Sequence, residues 1–194
     1  MALPAPRRWN VHEYYRMAEV GILREGERVE LIDGEIVKHA QVSPRHAART
    51  DCLAGLGIER FGSVARTRIQ SPVRLSRTCE PEPDLAIVRP ELERGRSYRV
   101  DHPTAEDVLL IVEVADSSLQ YDLGRKERMY ARAGVPELWV LDQRGDRLVL
   151  HRAPTPRGYA SIVSLARGES IAPLAFPEIV LTIDELLGSP PPAS

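Results

Sequence analysis

Two carboxylates interrupt stretches that otherwise read as buried strand. Glu113 lies inside "DVLLIVEVA", and Asp84 opens "DLAIV" directly after the proline-rich turn "EPEP". Burying an ionised carboxylate costs several kcal/mol unless a cation or good donors meet it. If the two strands are neighbours, Asp84 and Glu113 converge at one end of the sheet. Two carboxylates held together repel, and one pKa rises, unless a cation joins them. A hard divalent ion with oxygen ligands, Mg²⁺ or Mn²⁺, answers that need. The plainer alternatives are an arginine ion pair for Glu113 and a turn role after proline for Asp84.

A lysine would complete a hydrolytic site of this kind. Position 115 shares a strand face with Glu113, but it is alanine. The chain holds only two lysines, Lys38 and Lys126, among its 26 Lys and Arg residues. Where arginine serves almost every cationic need, a surviving lysine hints at a role that a permanently protonated guanidinium cannot fill. Lys126 falls on the helix that follows "IVEVA". Asp122, Lys126 and Tyr130 are spaced i, i+4, i+8 and so share a helix face that could fold back over the strand end. On these residues alone, Lys126 also reads as an ordinary exposed helix lysine. Glu30 is a fourth candidate, on the first arm of a hairpin, where it could equally be solvated. Asp122 reads as a first-turn residue favoured by the helix dipole rather than a ligand.

The elements that must position these groups are legible from turn and cap signals. "NVHEYYRMAEVG" predicts a short helix with Asn10 as N-cap, a capping box to Glu13, and Gly21 at C′. "ERVELIDGEIVKH" predicts a hairpin turning at Asp33-Gly34, with Glu30 opposite Val37. "SPRHAARTDCLAGLGIERFG" predicts a helix capped by Ser43, with Pro44 first and Gly62 ending it. Its predicted apolar stripe is Ala47, Ala54, Ile58 and Phe61. "VARTRIQSPVRLS" and "EPDLAIVRP" read as strands, and residues 91–107 as a polar surface loop. "DVLLIVEVA" reads as a central strand buried on both faces. "YDLGRKERMYARAG" reads as a helix, "ELWVLDQRGDRLVLHRA" as a second hairpin, and "IDELLG" as a last helical turn. The order predicts one α+β domain over residues 1–188 with a mixed central sheet flanked by helices, and a disordered proline-rich tail over 189–194.

Composition narrows the function classes. The chain has 194 residues, 43% hydrophobic and 28% charged, which suits one sizeable core. A net charge of -2 argues against a protein that coats nucleic acid, although a local basic groove stays open. Cys52 and Cys79 match no zinc spacing and read as free thiols in a reducing cytoplasm. No apolar segment is long enough to span a membrane, and the N-terminus lacks a signal-peptide core. His12, His39, His102 and His151 form no metal spacing. His46, on the helix from Ser43, could face the site, but surface or core packing is the plainer reading. Arg66, Arg68 and Arg74 lie at even spacing and could face phosphates, or could be a solvated strand face. Trp139 and Leu141 read as core.

"PD" followed by "EVA", after a helix, hairpin and helix, resembles the PD-(D/E)xK nuclease superfamily. More narrowly, "EPDLAIV", "IVEVADSSLQYDLGRKERMYARAGVPELWVLD" and "VELIDGEIV" resemble the Uma-two family of restriction-endonuclease-like proteins, from roughly Val11 to Leu186. The resemblance implies a restriction-endonuclease-like core and a metal-dependent endonuclease acting on DNA. By position, it makes Asp84, Glu113 and the Val114 carbonyl the ligands of Mg²⁺ or Mn²⁺. Lys126 becomes a catalytic lysine moved from the strand to the helix, and Glu30 the acid of the N-terminal hairpin. Ala115 departs from the general pattern. The resemblance and duplex symmetry together imply a homodimer. The alternative is the same fold kept as a non-catalytic binding or assembly module.

Overall fold

The computed structural model of the chain describes residues 6–39, 42–90, 97–116 and 118–188. The predicted tail at 189–194, and the first part of the loop predicted over 91–107, lie outside the described residues.

Helix α1 (Val11–Glu19) carries the full capping box: the Asn10 side chain accepts from Glu13 N, and Glu13 accepts from Asn10 N. Strands β1 (Val29–Ile32) and β2 (Glu35–Lys38) pair antiparallel with Glu30 opposite Val37, in the predicted register. The turn between them places Asp33 and Gly34 at φ 51° and 76°. These are the positive angles that a two-residue hairpin turn demands. A Cβ on Gly34 would also stand 2.7 Å from the Cβ of Arg8, so the approach of the N-terminal segment excludes any larger residue. The hairpin docks on the body of the molecule through Glu80 N donating to Leu31 O at 2.7 Å.

Helix α2 (Pro44–Phe61) starts at Ser43 and ends at Gly62, as predicted. Its buried face differs from the predicted stripe. Thr50, Leu53, Gly57 and Phe61 face inward, whereas Ile58 is 60% exposed. The inward row is set by close approach to the sheet. A Cβ on Gly57 would meet the Thr67 side chain at 2.9 Å, so a glycine rather than a bulky apolar residue marks the contact.

Strands β3 (Arg66–Ile69), β4 (Leu85–Val88), β5 (Val108–Ala115), β6 (Glu137–Asp142), β7 (Arg147–Thr155) and β8 (Gly158–Ala166) form one sheet in that order. Only β5 and β6 run parallel; the other neighbours are antiparallel. A parallel pair requires a crossover that leaves the sheet and returns over one face. That crossover contains α3 (Leu119–Tyr121), a π-helical turn (Asp122–Lys126) and α4 (Glu127–Arg132). The helix predicted as continuous is therefore interrupted by a wider turn at the residues that carry candidate chemistry. Short strands β9 (Ser170–Ile171) and β10 (Leu181–Thr182) pair with each other, and α5 (Ile183–Leu187) follows.

All eight residues of β5 are buried. Val112 and Val114 pack with Leu53 and Phe61 of α2 and with Leu186 of α5. Ile111 and Ala115 pack on the opposite face with Met129, Tyr130 and Ala131 of α4. Glu113 alternates with Ile111 and Ala115, so it points toward the crossover helix. The result is a mixed sheet with helices on both faces, the restriction-endonuclease-like core of an α+β protein. No helix among the described residues is long and apolar enough to cross a membrane.

Candidate active site

The β4–β5 register brings the two strand acids together. Leu85 stands opposite Val112, so one step further along the antiparallel pair sets Asp84 opposite Glu113. Directly opposed residues point to the same face, with Cβ atoms about 5 Å apart. β4 begins only at Leu85, and the space beside its start is an open cleft of about 290 Å³. Asp84, Glu113, Val114, Glu30, Lys126 and His46 all line it.

Asp84 closes the ladder with its side chain. Its Oδ2 accepts from Val114 N at 2.8 Å, while Oδ1 lies 2.9 Å from His46 Nε2 and 3.3 Å from Gln70 Nε2. Burial alone would raise the Asp84 pKa; the His46 contact, the Val114 amide and the charge of Lys126 outweigh it and hold the carboxyl below its ordinary value. The bond to Asp84 correspondingly raises His46. The N–H and C=O of one strand residue point to the same side of the strand. The Val114 N–H points at Asp84, so its carbonyl also faces the end of β4 and the cleft.

Glu113 is 2% exposed. Its Oε1 accepts from Tyr130 Oη at 2.6 Å and from Lys126 Nζ at 3.0 Å. No hydrogen bond reaches Oε2 among the described residues. Burial pushes the Glu113 carboxyl up to about 8, Asp84 and Asp122 adding to the effect against the pull of Lys126. Burial would lower Lys126, but Glu113, Glu30, Asp122 and Asp84 surround it and hold it protonated, above its ordinary value. The crossover explains this meeting. A helix that joins two parallel neighbours must cross the face on which Glu113 points. Its inner row is Asp122, Lys126 and Tyr130, all three buried. Ala115 is fully buried among apolar side chains on the same face, so no strand cation could share that packing.

Glu30 is buried as well, not solvated. Its Oε2 accepts from Glu82 N at 3.1 Å, and its Oε1 lies 3.9 Å from Lys126 Nζ. Asp122 faces the cleft, accepts from Ser118 Oγ, and is raised by burial. It is therefore more than a first-turn residue on the helix surface. Four buried carboxylates thus gather around Lys126, with His46 beside Asp84 and His39 Nε2 3.6 Å from Glu30 Oε2, a crowding of acids that a divalent cation would relieve.

The donor set suits such a cation. Among the described residues, no group of three or more His, Cys, Asp and Glu side chains forms a metal cluster. Two carboxylates and one backbone carbonyl are nevertheless what Mg²⁺ commonly takes from a protein, keeping water for its remaining positions. Asp84, Glu113 and the Val114 carbonyl meet that description.

Two contributors read in the sequence as something plainer than site residues. His46 sits in the first turn of α2, and nothing in its spacing connects it to Asp84, 38 residues away. Asp122 carried one signal, its shared face with Lys126. The arginine row did not form: β3 ends at Ile69, and Arg74 instead pairs with buried Glu80 at 2.7 Å. Lys38 and Arg28 do line the cleft, so both lysines of the chain lie at this one site.

A crystal structure titled a putative nuclease belonging to DUF820, from Anabaena variabilis ATCC 29413, has a similar fold. Its TM-score is 0.72 at 13% identity, covering 92% of this chain and 97% of that one. No functionally curated protein matches the sequence. The model of the Uma2 (Uma-two) family, whose description is "Putative restriction endonuclease", matches residues 11–184. Matched over nearly its whole length, the chain belongs to the Uma2 family.

Proposed function

We propose that the protein is a metal-dependent endonuclease that hydrolyses phosphodiester bonds of DNA. The observation that carries this reading is the convergence of Asp84, Glu113 and Lys126, from two strands and a crossover helix, in one open cleft. Asp84, Glu113 and the Val114 carbonyl would hold Mg²⁺ or Mn²⁺. When bound, the metal would lower the pKa of water and neutralise charge on the phosphate.

The chain's own residues supply the rest. Val114 N and His46 fix the Asp84 carboxylate in one orientation. Tyr130 and Lys126 occupy one oxygen of Glu113 and leave the other toward the cleft. In the metal-free protein the surrounding carboxylates hold Lys126 protonated, and we assign it the role of a cation. It is placed to donate to a phosphate oxygen as negative charge grows there. Glu30 and Asp122 keep Lys126 charged and anchored. Lys38 and Arg28 give the otherwise acidic cleft a basic rim that draws in the polyanion. Cutting both strands of a duplex needs two such sites, which a homodimer would provide.

The test is cleavage of plasmid DNA and of a matching RNA by the whole chain. Nicking with Mg²⁺ or Mn²⁺, none in chelator, and none by Glu113→Gln is the expected result. Equal cutting by Glu113→Gln, or cutting that persists in chelator, would refute the assignment. Ala115 favours one rival, a nuclease-fold module that binds without cutting. Metal-independent binding of the same DNA with no cleavage under any condition would identify it.

A further inference from the structure

A second cavity, of about 360 Å³, opens on the other side of α2. It is lined by Arg45, Arg49, Arg167, Asp146 and Gln143. Its charges do not cancel. Arg167 is committed: it bonds both oxygens of Asp146, at 2.6 and 2.8 Å, and reaches Asp184 at 3.0 Å. That uses the only carboxylate among the described residues of the lining. Arg45 gives one N–H to the Gln143 carbonyl at 2.6 Å, and Arg49 reaches only the Leu186 carbonyl at 3.5 Å. Neither arginine forms an ion pair among the described residues. Burial, with Arg167 and Arg45 close by, lowers Arg49 from its ordinary value, which marks a guanidinium short of counter-charge.

The floor of the cavity carries the second observation. Gln143 is 2% exposed, yet neither its side-chain oxygen nor its nitrogen has a hydrogen-bond partner among the described residues. Arg49 Nε is also buried without one. A buried polar group left unpaired costs about 1–3 kcal/mol, and one amide and one guanidinium N–H in that state, beside two arginines without an ion pair, call for a ligand. The donors exceed what the two oxygens of a carboxylate can accept. A phosphate group, with more acceptor oxygens, matches two guanidinium forks and an amide.

We propose that this cavity is a phosphate-binding subsite, and that the phosphate it takes belongs to the nucleic-acid strand that the cleft acts on. The strand assignment rests on the nuclease reading above; the phosphate site does not. Helix α2 carries His46 into the cleft and Arg45 and Arg49 into the cavity. Gln143 N donates to Ala115 O at 3.0 Å, tying the cavity floor to the end of the strand that holds Glu113. The two sites therefore share helix α2 and the end of β5.

Two measurements on the full chain test this. In the first, inorganic phosphate is titrated without divalent metal while the Gln143 side-chain amide and Arg49 Nε resonances are followed by NMR. Saturable shifts are expected, weakened at least fivefold in Arg49→Gln and only partly kept in Arg49→Lys, which retains the charge but not the fork. Exposed Arg45→Gln gives the same test should Arg49→Gln fail to fold. Equal phosphate binding by the wild type and a folded Arg45→Gln/Arg49→Gln chain, or no binding by the wild type, would overturn the site. In the second, a fluorescent duplex is titrated in chelator across a salt series. Arg49→Gln should weaken binding about three- to tenfold and reduce the salt slope by about one. Phosphate binding lost in the variant with an unchanged duplex slope would overturn the strand assignment and leave a free phosphate anion as the ligand. Failure of the nuclease reading is seen separately, as a wild-type chain that cleaves nothing while the phosphate titration is unaffected.

Discussion

Lys126 Nζ stands 3.0 Å from Glu113 Oε1, joining the crossover helix to the central strand at the one face where the strand itself offers only Ala115. The ammonium reaches the place a strand lysine would serve, from the opposite layer. Lys126→Arg keeps the charge but not the compact, flexible head. We expect it to lose about 100-fold in cleavage rate, with Mn²⁺ affinity by calorimetry nearly kept. Lys126→Ala should lose rate as well, and should push the Glu113 carboxyl further up by removing the cation that pulls it down. Wild-type cleavage by Lys126→Ala would end the relocated-lysine reading.

Glu113 should make the metal-free protein less stable as pH rises. Its folded pKa is about 8 against an ordinary 4.5, so the folded state holds a proton that the unfolded chain has released. The Glu113 contribution is therefore fully present below about 4.5 and declines through pH 8, by up to about 1.4 kcal/mol per pH unit. Glu113→Gln removes that dependence. In thermal melts from pH 5 to pH 8, the wild type should lose several degrees relative to Glu113→Gln, and Mn²⁺ should restore them. Parallel curves for the two proteins would contradict this assignment of the proton.

The His46–Asp84 bond should act within a pH window. Asp84 is lowered in the folded state, so its contribution is present above about 3.8 and lost as pH falls further. His46 is raised, so its contribution is fully present below about 6.5 and lost as pH rises through its folded value. The thermal-midpoint gap between the wild type and His46→Gln should be widest between about pH 4 and 6.5, then narrow. A gap that widens above pH 8 would show that His46 stabilises by packing rather than by charge.

Cap, turn and strand signals carried most of the fold. Asn10, Ser43 and Asp33-Gly34 act through local geometry, and local geometry survives folding unchanged. The pairing of Asp84 with Glu113 was legible for a related reason: a carboxylate among apolar strand residues needs a partner wherever the strand lands. The buried face of α2 was not, because a glycine at the closest approach leaves no hydrophobic mark. The role of Gln143 was hidden, and that of His46 could not be separated from surface or core packing. Each depends on a contact or cavity across the fold, and neither stands out from its neighbours. The π turn at Asp122–Lys126 has no cue beyond Gly124, and it seats the two inner residues of the crossover.

The most direct test of the whole account is a crystal soaked in Mn²⁺ and measured for anomalous scattering. One peak is expected in the cleft, at about 2.0–2.2 Å from oxygens of Asp84, Glu113 and the Val114 carbonyl, distances typical of a small octahedral cation. Lys126 should remain beside Glu113. An empty cleft at full Mn²⁺ occupancy elsewhere, or a cation bound away from Asp84 and Glu113 in a protein that cuts DNA, would contradict the account.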